Sequence, residues 1–431
     1  MKSNDKYLAV DLGASSGRVI VDDGNQLVEI HRFGDYLKVN NDQTYTWDID
    51  FIYKNMLEGI RKALIKYHDI KSMAIDAWGV DYVLLNGDKR IEPVYSYRGS
   101  IRCDEGVKLV HDIIPFDQLY GITGIQFANF NTIYQLKWDL EHKRLESATD
   151  FLHIPEYLSY LLTGKKAKEY TMASTTGLLD LNTNDYSKEI VDKLNLPRNL
   201  FKDLVQPGYK LGDFKPEIQS LVGGNIPVIM TASHDTAAAF EAVDFDEHTV
   251  FISSGTWSLV GVKIPKGNNS LESLKCNFTN EGGLGYIRYL KNIMGMWIFN
   301  QLRKQTDYTY DEIDLMAEQS TCDEIFNPND KSLLSPRDMK EALTTLMKYR
   351  PLNDGDIFRA LYRSLPVLYK QTADELERIL GVKYNKLMIV GGGCKSPTFN
   401  KFISEMTGRE VIAQPIEATA LGNIKVQKGV K

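Results

Sequence analysis

Residues 231–261 read TASHDTAAAFEAVDFDEHTVFISSGTWSLVG, and the rest of the chain is organised around this stretch. The apolar run Ile226–Met230 before it predicts a strand, and Ser233–Thr236 predict a polar turn ahead of a helix of small residues. The apolar run Val250–Ile252 then enters the turn Ser253–Thr256 and a second apolar run, which predicts a β-hairpin. The first turn offers a carboxylate where a helix begins. The second offers hydroxyls and backbone N–H groups that suit an anion.

The N-terminal residues repeat the hairpin pattern. Tyr7–Leu12 predict a strand that carries Asp11, Gly13–Arg18 predict a turn, and Val19–Val21 predict the return strand. The glycines of the turn allow the backbone to bend close to a ligand, and its serines add donors. Asp11 could hold a divalent cation through water. A plain hairpin turn explains the same local pattern equally well, and the absence of GK[ST] excludes a Walker A loop.

The composition limits the class of protein. The 431 residues are too many for one hydrophobic core and predict two domains. Hydrophobic residues make up 43% and the net charge is -6, which argues against a nucleic-acid partner. The four cysteines form no CxxC pair, so we expect no zinc site. No signal-peptide core or bilayer-length apolar run occurs, which predicts a cytoplasmic protein without a membrane partner.

Other positions stand out from the secondary-structure pattern. Asp76 lies inside an apolar strand, where a carboxylate is costly unless it is paired or faces a site. Gly79 lets a ligand approach the main chain. From about Asn292 the apolar residues predict a helix, in which Asn292 is either the N-cap, the commoner role, or a ligand contact. The strand Lys386–Val390 precedes Gly391–Gly393, where an adenosine could lie against bare backbone.

Two segments of the chain resemble each other. DLGASSGRVIV and ISSGTWSLVGV each read as a strand, a small polar turn with glycine, and a return strand. They open the two halves of the chain, which suggests duplicated half-domains that each give one hairpin to a shared nucleotide. Between them, Asp50 is the predicted cap of a helix from Phe51 to Tyr67.

A set of short motifs resembles the FGGY carbohydrate kinases. The motifs are DLGASSGR, TWD, WGVDYVLL, GIQF with FNTIYQL, SHDTA, SSGTWSL, NEGG, LKNIMG, VGGGC and EATALGNI, in this order over nearly the whole chain. The resemblance implies an α/β fold of two ribonuclease-H-like domains, the actin-like ATPase core, with a central cleft. Residues 1–244 would form the N-terminal, sugar-binding domain with the first phosphate hairpin. Residues 245–431 would form the nucleotide-binding domain, shortened at its C-terminus relative to the family.

The resemblance also implies roles for single residues. Asp235 matches the proton acceptor, and Asp11 would serve Mg²⁺. The positions that match sugar contacts are Gly79, His234, Asp235, Thr236 and Asn292. The positions that match ATP contacts are Ala14, Ser15, Ser16, Gly17, Arg18, Thr256 and Gly392. One departure is Asn300, which stands where relatives carry the longer Gln.

The implied activity is ATP- and Mg²⁺-dependent phosphorylation of L-rhamnulose at its C1 hydroxyl, by a monomer or homodimer. A kinase for another ketose, such as L-fuculose or L-xylulose, is the nearest alternative. An actin- or chaperone-like ATP-driven binding protein, or an inactive sugar-binding relative, is the alternative of another class. The sugar pocket could also include any of four polar residues, Asp76, Asp81, Arg98 and Gln126.

Overall fold

The structure is a computed structural model that describes residues 5–42, 44–255, 257–333, 336–414 and 417–429. Thr256, a predicted ATP contact, lies outside the described residues. Within the described part of the chain, no helix is both long enough and apolar enough to cross a bilayer.

Groups of consecutive strands and groups of consecutive helices follow one another along the chain. The strands are, in chain order, β1 (Lys6–Leu12), β2 (Ser16–Asp22), β3 (Leu27–Gly34), β4 (Leu37–Val39), β5 (Tyr45–Trp47), β6 (Ile70–Ala77), β7 (Tyr82–Asn86), β8 (Lys89–Ile91), β9 (Asp150–His153), β10 (Lys168–Glu169), β11 (Leu179–Asp180), β12 (Asp185–Tyr186), β13 (Leu204–Val205), β14 (Tyr209–Gly212), β15 (Val228–Met230), β16 (Thr249–Ser254), β17 (Trp257–Ile264), β18 (Thr279–Gly282), β19 (Ile287–Met294), β20 (Lys386–Val390) and β21 (Glu410–Gln414).

The α-helices are, in the same order, α1 (Ile49–Lys66), α2 (Ser100–His111), α3 (Phe116–Thr123), α4 (Thr132–Glu141), α5 (Ile154–Thr163), α6 (Tyr170–Ala173), α7 (Lys188–Lys193), α8 (Pro216–Val222), α9 (Asp235–Ala242), α10 (Leu271–Lys275), α11 (Trp297–Thr306), α12 (Tyr310–Gln319), α13 (Met339–Leu346), α14 (Asp354–Leu380), α15 (Pro397–Thr407) and α16 (Ala418–Gln427).

The chain divides into two compact units. The first contains Met1–Val243, Ile264–Arg288 and Ala418–Lys431, and the second contains Asp244–Lys263 and Tyr289–Glu417. The last helix, α16, therefore belongs to the first unit although it follows the second unit in sequence.

Each unit is built on a sheet of the same topology. In the first unit the strand order is β14-β15-β6-β1-β2-β3, in which β1 is antiparallel to β2 and parallel to β6. In the second unit β19-β17-β16-β20-β21 are part of a six-stranded sheet, in which β16 is antiparallel to β17 and parallel to β20. Each hairpin therefore has a parallel neighbour on the far side of its first strand. This is the ribonuclease-H-like arrangement, and the similar sequence segments occupy equivalent places in it.

Helix α1 illustrates how the first sheet is covered. Ile52, Met56 and Ile60 recur at helical spacing and are fully buried in the core of this unit. The helix begins earlier than predicted, because the side chain of Asp48 accepts a hydrogen bond from Phe51 N at 3.1 Å. Asp50, the predicted cap, lies in the first turn of α1 and pairs instead with Arg90.

The prediction of a helix from Asn292 was wrong. Asn292 lies within β19, and the next helix, α11, begins only at Trp297 with Met296 as its N-cap. Strand β19 neighbours β17 so closely that a Cβ on Gly261 would lie 2.3 Å from Leu290 Cβ. Pairing in the sheet therefore outweighs the helical propensity of the apolar residues, and Asn292 caps no helix.

Helices α9 and α16 pack closely in the first unit. A Cβ built on Gly422 of α16 would lie 1.7 Å from the carbonyl oxygen of Ala238 in α9. Glycine is therefore required at the crossing, since any side chain would push the helices apart.

We expect Gly422→Ala to lower the free energy of unfolding by about 1–3 kcal/mol, because overpacking forces the helices to separate. Urea denaturation would measure the change. Gly121→Ala is the matched control, because Gly121 is an exposed residue of α3 with nothing within 4 Å of an added Cβ. It should raise stability by up to about 1 kcal/mol. Equal stability of the two variants would contradict the close crossing.

Candidate active site

The N-terminal hairpin holds its turn in place with polar contacts. Gly13 N donates to Ser16 O at 3.0 Å, and the hydroxyl of Tyr36 donates to Gly13 O. Ser15 is exposed at the tip of the turn, and Ala14 and Ser16 are partly exposed beside it. The turn thus presents its backbone and hydroxyl groups outward, as an anion-binding loop must.

Gly17 and Arg18 have different surroundings from the tip. Gly17 is buried, and a Cβ on it would lie 2.6 Å from the ring of Phe33. Arg18 lies opposite Asp11 in the β1–β2 register, and its Nη2 donates to Asp11 Oδ2. Arg18 therefore partly neutralises the carboxylate that the sequence assigned to Mg²⁺.

A second carboxylate lies next to Asp11. Asp76 of β6 is the register partner of Asp11 across the parallel pair, and it is fully buried. Asp76 Oδ2 accepts a hydrogen bond from Asn423 of α16 at 2.6 Å, whereas Oδ1 has no hydrogen-bond partner among the described residues. Burial, together with the charges of Asp11 and Asp235, raises the pKa of Asp76 well above its usual value, and Asn423 opposes that rise.

The carboxylates of Asp11 and Asp76 can be compared with the ligands that a divalent cation requires. Mg²⁺ prefers oxygen ligands and retains several waters, so one or two carboxylates suffice beside a nucleotide. Asp11 and the unpartnered oxygen of Asp76 supply such oxygens. Among the residues that the structure describes, no group of three or more His, Cys, Asp or Glu has the geometry to hold a metal alone. The acids present therefore fit a cation shared with phosphates.

Ser233, ahead of α9, is fixed on two sides. Ala77 N at the end of β6 donates to Ser233 O at 2.9 Å, and Ser233 N donates to Glu169 Oε2 at 3.1 Å. Glu169 also accepts from Thr171 N at 2.8 Å and from Met172 N at 3.1 Å. Burial raises the pKa of Glu169 to about 7, and these donors oppose the rise.

Asp235 is the first residue of α9 and carries an accessible carboxylate. Its Oδ1 accepts from Thr236 N at 2.6 Å and from Thr236 Oγ1 at 3.1 Å. The Asp235 side chain is 33% exposed, so it does not point into packed interior. The N-cap position belongs to His234, whose side chain makes no capping bond. Asp235 is therefore not the N-cap of α9, although its carboxylate does bond the first turn.

His234 brings Gly79 and Asp235 together. His234 Nε2 lies 3.4 Å from Asp235 Oδ1, and a Cβ on Gly79 would lie 3.3 Å from the same nitrogen. The absence of a side chain at Gly79 thus leaves the ring edge uncovered on that side. Four of the predicted sugar contacts, Gly79, His234, Asp235 and Thr236, are consequently neighbours within the first unit.

Two further residues complete this group, and the sequence analysis missed both. Arg288 is fully buried, and its Nη1 and Nη2 each lie 3.4 Å from His234 Nδ1. Glu281 Oε2 lies 3.0 Å from Arg288 Nη1 and 3.5 Å from His234 Nδ1. Burial alone would raise the pKa of Glu281, but Arg288 and His234 hold it below its usual value. Glu281 lies in the NEGG motif, which carried no assigned role for it, whereas only a charge at a buried strand position marks Arg288.

The glycines of the second unit leave one stretch of bare backbone. Gly391 has φ +89°, and a Cβ on it would lie 2.8 Å from Ser254 O in the hairpin. A Cβ on Gly393 would lie 2.0 Å from Ser254 Oγ. Gly392 between them is exposed, with nothing within 4 Å of an added Cβ. The predicted nucleotide contact at Gly392 thus has open space in front of it, and Asn292 of β19 is partly buried in the same unit.

Besides Asp76, three polar residues were named as candidates for the sugar pocket, and their surroundings differ. The carboxylate of Asp81 is buried and accepts from Trp47 Nε1 at 2.6 Å and Trp78 Nε1 at 3.1 Å, which is a structural role. Gln126 is buried. Arg98 is exposed and its Nη2 donates to Ser15 Oγ at 3.4 Å, which places it beside the first hairpin turn.

Comparison with known proteins defines the class. Residues 6–240 match the model of the FGGY family of carbohydrate kinases, N-terminal domain, and residues 250–428 match that of its C-terminal domain. The chain belongs to the FGGY family of carbohydrate kinases. It is an enzyme of the sugar kinase class, whose substrates are a sugar and ATP.

Five relatives that are 35–39% identical to this chain are all named rhamnulokinase. A rhamnulokinase of Oceanobacillus iheyensis is 39% identical over 97% of this chain and 92% of its own length. A rhamnulokinase of Bacteroides thetaiotaomicron is 37% identical over 99% and 90%. Among solved structures, a gluconate kinase of Lactobacillus acidophilus has a TM-score of 0.83 at 18% identity, covering 99% of this chain and 89% of that one. A glycerol kinase of Plasmodium falciparum with ADP has a TM-score of 0.83 at 19% identity, covering 98% and 88%. These structures show the shared fold.

Glu169→Gln should destabilise the protein, because an amide NH₂ would face hydrogen-bond donors that now meet a carboxylate. We expect the free energy of unfolding to fall by about 1–3 kcal/mol. Urea denaturation would measure it. Glu189→Gln is the control, because Glu189 is exposed and pairs with Lys193 on the surface of α7. Its loss should stay within about 0.5 kcal/mol, and an equal loss in both variants would argue against the anchoring role of Glu169.

Proposed function

We propose that this protein transfers the γ-phosphoryl group of ATP to the C1 hydroxyl of L-rhamnulose, yielding L-rhamnulose 1-phosphate and ADP. The observation that carries the proposal is the accessible Asp235 carboxylate at the start of α9, with His234 and Gly79 beside it. The name of the relatives at 35–39% identity supports the choice of sugar.

Asp235 accepts the proton of the attacking hydroxyl. Thr236 engages Oδ1, so Oδ2 is the oxygen that we assign to proton acceptance. Because Asp235 begins a helix, its carboxylate is held at a fixed point relative to the sugar. Removal of the proton as the oxygen attacks phosphorus contributes roughly 10²–10⁴-fold to such reactions.

The neighbours of Asp235 orient the sugar. His234 and Thr236 carry groups that can donate hydrogen bonds to sugar hydroxyls, and Gly79 leaves room for the sugar against its backbone. Asn292 is a further proposed sugar contact. Hydrogen bonds to hydroxyls discriminate strongly among sugars, because an unmatched buried polar group is costly.

The remaining predicted residues bind ATP and its cation. Ala14, Ser15, Ser16, Gly17 and Arg18 form the loop that we assign to the phosphates, and Thr256 and Gly392 are assigned to the nucleotide. Asp11 and Asp76 would hold Mg²⁺, directly or through water. When bound, Mg²⁺ neutralises charge on the transferring phosphates. Arg18 limits the negative charge of Asp11 when no cation is present.

Asp235→Asn should lower kcat by about 100-fold or more while the protein stays folded, since an amide cannot accept the proton. A coupled ADP-release assay measures kcat, and circular dichroism verifies the fold. Asp117→Asn is the matched control, because Asp117 is exposed, also lies in the first turn of a helix and accepts from the next backbone N, at 2.9 Å. It should leave kcat unchanged. A wild-type kcat in Asp235→Asn would remove Asp235 from the role of base.

The substrate can be identified with a panel of ketoses assayed with and without Mg²⁺. We expect the highest kcat/KM for L-rhamnulose, and activity that disappears when the cation is chelated and returns when Mg²⁺ is restored. A higher kcat/KM for L-fuculose or L-xylulose would replace the sugar but keep the reaction. ATP hydrolysis at one rate whatever the sugar would favour an ATP-driven binding protein and overturn the proposal.

A further inference from the structure

His234 is contacted by two charged residues that the proposed reaction does not use. Arg288 has no exposed surface and Glu281 is 6% exposed. Arg288 Nε donates to Gly282 O at 2.8 Å, so the guanidinium is held from its inner end. Its two outer nitrogens then converge on His234 Nδ1, each at 3.4 Å. The imidazole of His234 thus contacts the guanidinium of Arg288 at Nδ1 and faces Asp235 at Nε2.

The charges around His234 Nδ1 decide which ring nitrogen carries the hydrogen. A guanidinium has donors and no acceptor, so its approach requires a lone pair on Nδ1. Glu281 Oε2 would favour the opposite tautomer, but it lies farther from Nδ1, at 3.5 Å, and is engaged by Arg288 Nη1 at 3.0 Å. A hydrogen on Nδ1 would also point toward two cationic N–H groups. The arrangement therefore places the ring hydrogen on Nε2.

The tautomer of His234 determines which hydrogen bonds Nε2 can make beside Asp235. Nε2 lies 3.4 Å from Asp235 Oδ1 and faces the side left open by Gly79. With its hydrogen, Nε2 donates to the Asp235 carboxylate or to a sugar oxygen beside it. Without the hydrogen, Nε2 would turn a lone pair toward that carboxylate, which is repulsive, and it could only accept a hydrogen bond from a sugar hydroxyl.

We propose that Arg288 is a positioning residue: it holds His234 as the Nε2–H tautomer and so makes the sugar site a hydrogen-bond donor at this point. The inference rests on the proposed function of the site as a ketose-binding one. Arg288 acts through His234 and touches neither the sugar nor ATP. Its loss should therefore weaken binding of the sugar more than it slows the chemical step.

Kinetics of three variants test the effect on the sugar. Arg288→Met with Glu281→Gln removes both charges together, so that no unpaired charge is left buried. We expect its KM for L-rhamnulose to rise by about 10-fold, the loss of one hydrogen bond. Its kcat and its KM for ATP should change by less than about 3-fold. Arg288→Lys keeps a cationic donor and should have a KM for L-rhamnulose near that of the wild type, and Glu189→Gln on the exposed surface of α7 is the control that should leave both KM values unchanged. A wild-type KM in the folded double variant would overturn the proposal.

The tautomer itself can be observed without any substrate. Long-range ¹H–¹⁵N spectra of the protein with ¹⁵N in its seven histidines show which ring nitrogen carries hydrogen, and His234→Gln identifies the signals of His234. We expect Nε2–H in the wild type and in Glu281→Gln, and a shift toward Nδ1–H in the double variant. Hydrogen on Nδ1 in the wild type would overturn the proposal.

The two measurements separate this inference from the proposed function. If no ketose is phosphorylated by the wild type, the proposed function fails, and the spectra still decide whether Arg288 sets the tautomer. If the double variant does not fold, the wild-type spectrum and Arg288→Lys carry the test. Nε2–H together with a KM near wild type in Arg288→Lys would support the proposal, and Nδ1–H would reject it.

Discussion

The arrangement of the site depends on the two hydrogen bonds that hold the backbone of Ser233. Its carbonyl accepts from Ala77 at the end of β6, and its N–H donates to the buried carboxylate of Glu169. Because both partners belong to the packed first unit, the chain leaves this residue in a fixed direction. His234 and Asp235 follow directly, so their side chains inherit that direction. An accessible carboxylate on a rigid support is what proton acceptance from a bound hydroxyl requires.

The same region brings several carboxyl groups together, and their ionisation is unfavourable in the isolated chain. Asp11 and Asp76 are register partners, both buried, and Asp235 adds to the field that they share. Asn423 reaches across from α16 to only one oxygen of Asp76, which leaves the other oxygen without a partner among the described residues. A divalent cation would relieve both the repulsion and the missing contact. Under the proposed function, the electrostatic strain at the strand ends is thus a preparation for the cation that accompanies ATP.

Local pattern in the sequence predicted the elements whose signal is local, but not those that depend on contacts with distant strands. Alternating apolar runs and small polar turns predicted both hairpins. Asn292 was assigned to a helix because the pairing of β19 with β17 leaves no local signal. The predicted N-cap of α1 was wrong by two residues. Asp48 and Asp50 are the same residue type, and only the backbone conformation distinguishes the N-cap from the first turn.

The site shows the same division. Family motifs pointed to His234 and Asp235, and the structure places them beside Gly79. Arg288 lies 54 residues from His234 in sequence, and nothing in its local pattern announces the contact. Glu169 likewise meets Ser233 across 64 residues. Contacts between residues so distant in sequence are determined by how strands and turns pack, so they become visible only in the folded structure.

The buried pair of Arg288 and Glu281 is not explained by stability. Two charges removed from water lose solvation that their attraction restores only with good geometry, and apolar residues of similar size often stabilise a core as well or better. Such a pair is more easily understood where it orients a neighbour. Arg288 is held by Gly282 O and by Glu281, and its remaining donors converge on one nitrogen of His234. A cation fixed at both ends has little freedom to follow the imidazole, so the imidazole must adapt to the cation. Under the proposed function, the direction of control therefore runs from Arg288 to His234, and through His234 to the sugar oxygen beside Asp235.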